Sequence, residues 1–334
     1  MQIFEETIKK YEILKNEFKD IKIKGRKVRV YRIISLRPII GLVEEGKQGG
    51  FVESEDNLSH NGDCWIYGDA VVCQGAKVSG NARIKESALI YGNAKVYGDA
   101  HVYGNSTVFG EAKIYDEAIL YDRSQAYGHA KVHGDAILMN NAKVYENANM
   151  YGGSASDDAE IYGNAEVSEG RILNHAKIYE NATVSANGTI KEHARIHGES
   201  VICGSNTYIM GNANIYEDAC IDGNVNISDD VEIFGCSYIH KEHTGSEGVK
   251  LRGCLKIGGH SEIYGDILIA NRTKTGSMTI LGYSEIHSDG GKYTILSGDD
   301  VKITGYAQIK LNKDEQIEIP DGSIIKGEYP GAHK

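Results

Sequence analysis

Small and aliphatic residues recur along most of this chain with a period of six. The stretch from Asp69 to Ser156 shows it best, and its middle reads YGNAKV YGDAHV YGNSTV FGEAKI YDEAIL. A small residue falls at Ala70, Ala76, Ala82, Ala88, Ala94, Ala100, Ser106, Ala112, Ala118, Ser124, Ala130, Ala136, Ala142, Ala148 and Ser154. Two positions after each stands Val, Ile, Leu or Met, except at Ala126 and Ser156. A helix would place apolar residues three and four apart. A spacing of two puts both on one side of an extended strand. The next three positions are typically Tyr-Gly-Asn or Tyr-Gly-Asp, and Gly, Asn and Asp tolerate the backbone of a sharp corner. Each hexad is therefore one short strand and one corner.

Three hexads close a triangular coil, and coils stack at about 4.8 Å. The small and aliphatic residues fill the interior, while Tyr and the residue between Ala and Val point outward. The prediction is an all-β, single-stranded parallel β-helix running from 63 to 310, with room for roughly 13 coils. The repeats resemble the left-handed β-helix of the hexapeptide-repeat superfamily. Such a hand runs against the usual right-handed crossover. The rhythm slips after Ser154, with markers at Ala159, Ala165 and Ala176, holds through Ala182, Gly188, Ala194 and Ser200, and slips again before Ala213. HKEHTGSEGVK after Ile239, ANRTKTGSM (270 to 278) and HSDGGKY (287 to 293) read as excursions. Residues 311 to 334 read as a closing strand or two and a tail.

Before the repeats, residues 1 to 20 place Ile3, Phe4, Ile8, Tyr11, Leu14 and Phe18 near one helical face, which predicts an amphipathic helix. Residues 21 to 62 read as a β cap over the first coil, with a turn at Gly25-Arg26. The cap is basic at Lys22, Lys24, Arg26, Lys27, Arg29, Arg32 and Arg37. That is either an anion patch or a strand face balanced by Glu44, Glu45, Glu53, Glu55 and Asp56. Together GRKVRVYRI, GGFVESEDNLS and CWIYGDA resemble the YdcK-like family of bacterial and phage proteins, over essentially the whole chain. The resemblance implies such an N-terminal segment before a left-handed β-helix. It implies no settled activity, since the transferase label some members carry rests on fold analogy.

Gly 40, Tyr 21 and Pro 3 suit tight corners and few breaks. A net charge of −11 argues against nucleic acid or an anionic membrane as partner. No apolar run of 18 residues and no signal-like start occur, so a cytoplasmic location is expected. Six scattered Cys without CxxC spacing predict free thiols and no metal centre, although Cys236 and Cys254, 18 apart, invite stacking.

Outward residues 18 apart stack into three columns. The first is Lys77, Lys95, Lys113 and Lys131, flanked by Tyr97, Tyr115 and His133. It suggests binding of an anionic small molecule, phosphate chain or acidic glycan, with Tyr offering ring faces. Its plain alternative is lysines fanned into water. The second is His101, Ile119 and Ile137 with Tyr103, Tyr121 and Met139. Here Ile119, Tyr121, Ile137 and Met139 form an apolar patch expected to meet another subunit, as a dimer or trimer, or the N-terminal segment. The third mixes Leu89, Thr107, Gln125 and Lys143 with Tyr91, Phe109, Tyr127 and Tyr145.

These columns predict a non-catalytic scaffold or binding solenoid that needs no cofactor. Likeness to hexapeptide enzymes supplies the alternative, an acyltransferase using acetyl-CoA or another acyl-CoA and a His general base. Candidates are His240 and His243, beside Glu242 and Glu247 at an excursion, and His193 and His197. Four strand residues span about 13 Å, so His193 and His197 cannot share one metal. His175 and His193 are expected to stack at a corner.

Overall fold

The computed structural model describes residues 9–185, 187–240, 248–265, 267–271, 277–288, 293–297, 300–311, 316–319 and 322–329. They divide into two compact units, Met1–Asp157 and Asp158–Lys334. Both are parallel β-solenoids, and the repeat makes about 14 turns counted over the two. Among the described residues the only helix is the 3-10 turn Glu55–Asn57.

The period-six reading accounts for the interior of the first unit. Ala70, Ala76, Ala82 and their successors through Ala148 are fully buried, as are Val78, Ile84, Ile90, Val96 and the later aliphatics. Burying one such aliphatic stabilises by about 1.5–3 kcal/mol, so every coil repeats a small hydrophobic core. Serine enters the small-residue column without leaving an orphan, because Ser106 Oγ donates to the Tyr103 carbonyl at 2.7 Å.

Corners carry the unusual backbone. Where glycine is absent, an acidic residue commonly holds positive φ, as at Glu86 (60°) and Asp116 (56°). That conformation costs an L-residue roughly 1 kcal/mol or more. The carboxylate offsets it by accepting the corner N–H one coil on: Glu86 from Gly104 at 3.0 Å and Asp116 from Gly134 at 3.2 Å. In the second unit Glu180 and Glu217 do the same for Gly198 and Gly235, both at 2.8 Å. Part of the chain's acidity is thus structural.

The first slip lies earlier than the repeat suggests. Ser154 pairs with outward Ile137 and Ala155 with inward Leu138. The small-residue slot therefore belongs to Gly153, whose carbonyl accepts from Ile137 N at 2.9 Å. Gly152 and Gly153, at φ 73° and 70°, tighten the corner and remove one residue from the coil.

The expected helix over 1–20 is not formed where that segment is described. Tyr11–Ile23 is a strand, β1, antiparallel to β2, Arg26–Ser35. A register shift between Leu14 and Phe18 places extra residues in β1, and the resulting spacing of Tyr11, Leu14 and Phe18 imitates a helical face. Ile3, Phe4 and Ile8 lie outside the described residues. The turn is Lys24-Gly25, one residue earlier than read, with φ 46° and 79°.

β3, Gln48–Val52, pairs antiparallel with β2 and parallel with Val71–Val72, so the solenoid's first rung begins before residue 63. The GGFVESEDNLS motif builds this rung. A Cβ at Gly49 would lie 2.7 Å from Ile33 and 2.8 Å from both Trp65 and the Ile66 carbonyl, so only glycine fits. Asn57 turns its own N–H back to the Ser54 carbonyl, and its side-chain Nδ2 donates to the Gln74 and Ala76 carbonyls at 2.9 Å. Its Oδ1 accepts from Glu53 and Ser54 N–H groups at 3.1 and 2.9 Å.

Lys10 and Tyr11 complete the end. Lys10 Nζ, 1% exposed at the residue level, donates to the Gly62 and Cys64 carbonyls at 3.1 and 2.8 Å and contacts Cys64 Sγ at 3.2 Å. Burial lowers the Lys10 pKa and raises that of Cys64. The Tyr11 hydroxyl lies 2.9 Å from the Glu55 and Leu58 carbonyls, and its ring stacks on His60.

In the second unit, inward Ile257, Ile263, Ile269, Ile303 and Ile309 are buried, and coils continue past 310. Lys302–Ile303 pairs with Ile324–Ile325, and Gln308–Ile309 with Glu328–Tyr329. Residues 241–247, 272–276 and 289–292, at the three expected excursions, lie outside the described residues. Among the described residues no helix is long and apolar enough to cross a membrane.

Candidate functional site

Parallel pairing puts Lys77, Lys95, Lys113 and Lys131 in one register, each a single strand from the next. All four are exposed. The row begins above the Leu58–Val78 bridge and ends where Lys131 meets Asn149. Among the described residues none of the four has an ion pair or side-chain hydrogen bond. Elsewhere the same fold does pair lysines across coils, as Lys177 with Glu160 at 2.9 Å and Lys256 with Glu232 at 3.0 Å. Like charges paired directly across strands repel, although exposed ammonium groups are screened by water and salt.

Beside the lysines runs an aromatic column. Tyr97 and Tyr115 stack at 5.0 Å between centroids, Tyr115 and His133 at 4.4 Å, and His133 and Tyr151 sit tilted at 5.1 Å. The rings therefore spend their faces on one another. Tyr115 is stacked on both faces and keeps its edge and hydroxyl for a ligand, whereas Tyr97 is stacked on one face. Burial, with Asp116 nearby, raises the pKa values of Tyr97 and Tyr115, so both phenols remain protonated donors. His133 is engaged by Asn149 Oδ1 at 2.9 Å and by Asp116 Oδ2 at 3.6 Å. The face thus combines a row of ammonium groups with a parallel row of neutral donors.

The second column also forms as registered, Arg83, His101, Ile119 and Ile137. Ile119, Tyr121, Ile137 and Met139 are half-buried by their own neighbours, and Tyr121 Oη contacts Met139 Sδ at 3.0 Å. The described part of the N-terminal segment does not cover them. It lies on the third column, where Ile23, Val28, Val30 and Phe51 pack with Val71 and Cys73 and against Leu89 and Tyr91. Three of the basic residues of that segment find nearer partners than the acidic stretch at 44–56. Lys27 and Arg29 bind Asp20 at 2.7 and 2.9 Å, and Arg32 faces Glu17 and Asp69. Lys24 and Arg26 at the turn take none of these carboxylates.

The histidine candidates are dispersed. His193 is an exposed corner residue stacked on His175 at 5.0 Å. His197 stands between Tyr179 and Tyr216, with Nδ1 3.5 Å from Glu180 and Nε2 3.2 Å from Asn214. Asn214 thus engages one ring nitrogen, while Glu180 stands at ion-pair distance from the other. His240 stacks between Tyr238 and Tyr264, and Nε2 lies 3.1 Å from Glu262 Oε1. His243 lies outside the described residues. All six cysteines are free thiols. No three His, Cys, Asp or Glu side chains among the described residues are placed to hold a metal ion.

No family model matches the chain, and no curated protein matches it.

Proposed function

We propose that the protein is a non-catalytic binding solenoid whose Lys77–Lys131 ladder takes a linear polyanion, an acidic glycan with one carboxylate per sugar. One observation carries the reading: four lysines in register, one per coil, without a counter-charge among the described residues. A chain with an anionic group at about the 4.8 Å strand spacing meets one ammonium per rung. The Tyr97 and Tyr115 hydroxyls then donate to its neutral oxygens. Membership of the YdcK-like family belongs to the same reading. The test is calorimetric titration with a homopolymeric uronate oligosaccharide and with its neutral parent sugar. Binding of the acidic form alone, weakened by added salt and lost in Lys95→Glu/Lys113→Glu, supports the proposal. Equal binding of both sugars, or an unaffected variant, overturns it.

A second reading, an acyltransferase-like enzyme with a CoA-type donor, draws support from the His240–Glu262 contact, since a carboxylate can orient a histidine base. Saturable acetyl-CoA uptake in native mass spectrometry, lost in His240→Ala, would favour it.

A further inference from the structure

The β1–β2 turn overhangs the third outward column and encloses a cleft of about 330 Å³, lined by Ile23, Lys24, Arg26, Gln74, Tyr91, Gly92 and Gly110. This volume is at the small end of ligand pockets. The charged groups in its lining are Lys24 and Arg26, both cationic and both exposed. Neither has an ion pair among the described residues, although Lys27 and Arg29 on the same hairpin are neutralised by Asp20. Lys24 Nζ stands 5.6 Å above the Phe109 ring, which directs it along the column toward the cleft. Gln74 adds a third donor. Its Oε1 accepts from Gly92 N at 2.9 Å, and its NH2 has no hydrogen bond among the described residues. Ile23 and the edge of Tyr91 supply an apolar wall, since Tyr91 is stacked on Phe109 at 5.0 Å.

We propose that this cleft is a separate site for a small phosphate monoester, held by Lys24, Arg26 and the Gln74 amide with its organic part against Ile23 and Tyr91. A guanidinium fork and an ammonium suit the several oxygens of a phosphate group. The hairpin tip bounds the cleft, so the ligand is a small molecule and not the polymer assigned to the lysine ladder. The site is independent of that assignment.

The test is isothermal titration with phenyl phosphate, using the whole chain. The two variants, Lys24→Asn and Arg26→Gln, remove one cation each. Asparagine is favoured at the first central position of such a turn, so Lys24→Asn keeps the fold, as a thermal melt will confirm. Single-site saturable binding that weakens about tenfold or more in each variant supports the site. Binding must also be unchanged in Lys95→Glu/Lys113→Glu, which removes charge from the ladder. Absence of saturable binding, binding that survives both hairpin variants, or binding lost equally in the ladder variant overturns the proposal.

Discussion

Asn57 holds the first coil together, and its replacement gives a prediction whose size can be worked from the structure. The residue is fully buried, and its amide makes four hydrogen bonds to backbone groups besides a longer one, at 3.5 Å, from the Ser54 hydroxyl. Two of them occupy carbonyls of the coil above that Asn57's own N–H does not take, because that N–H closes the Ser54 turn. Asn57→Ala removes all four and supplies no replacement. At about 1 kcal/mol for each bond the loss is about 4 kcal/mol, and more if water fails to reach the Ala76 carbonyl. A solenoid can open from its end, so the readout is local. Hydrogen exchange at the Glu53 and Ser54 amides should accelerate roughly a thousandfold, a tenfold change for each 1.4 kcal/mol. Asn57→Asp sharpens the test. It keeps the accepting oxygen but turns a second oxygen toward two carbonyls. Protonated, that carboxyl can donate; ionised, it repels. Its folded pKa is therefore raised above the usual value of about 3.9, and the variant's stability is present below that pH and lost as pH rises through the folded value. If Asn57→Ala leaves exchange within tenfold of the parent, or Asn57→Asp is indifferent to pH between 4 and 8, the amide does not carry the coil.

Two further predictions concern the core and its titration. Thr207 occupies a small-residue slot, and its buried Oγ1 has no hydrogen-bond partner among the described residues. Val225 and Val231 fill equivalent slots, so Thr207→Val should raise stability by about 1 kcal/mol, and a lower urea midpoint would refute it. Burial raises the thiols of Cys64, Cys73, Cys203, Cys220 and Cys254, with Cys73 pushed up to about 12. Unfolded thiols ionise near pH 8.5, so the folded state keeps protons that the unfolded state releases and stability falls as pH rises above that value. The buried Cys73 contributes at most about 1.4 kcal/mol per pH unit to that fall. The urea midpoint should decline from pH 8.5 to 10.5, less steeply in Cys73→Ala, whereas a flat profile would contradict the assignment.

The repeats were legible because each hexad states its own strand and corner. Register follows from counting, which is why the columns of Lys77 and Ile119 are legible in the sequence. What failed was information that counting does not contain. The bulge in Tyr11–Ile23 gave a strand the spacing of a helix. Gly152-Gly153 shortened a corner and made Ser154 look like an inward residue when Ala155 is the one that faces in. Pairing of Lys27 and Arg29 with Asp20 depends on which strands face each other. The open charges of Lys24 and Arg26 depend on the same strand pairing, which gives Asp20 to Lys27 and Arg29. The loss of both Tyr115 ring faces to stacking likewise needs the coil spacing, which at about 4.8 Å leaves no room between rings.

The central claim is that one ammonium per coil reads one anionic group per sugar. The most direct test is the dissociation constant for a series of uronate oligosaccharides from two to eight units at fixed salt. The account predicts affinity that rises with each unit up to about four, the length of the lysine row, and then levels off. Affinity already complete at two units, or still climbing steeply at eight, would contradict a ladder bounded by Lys77 and Lys131.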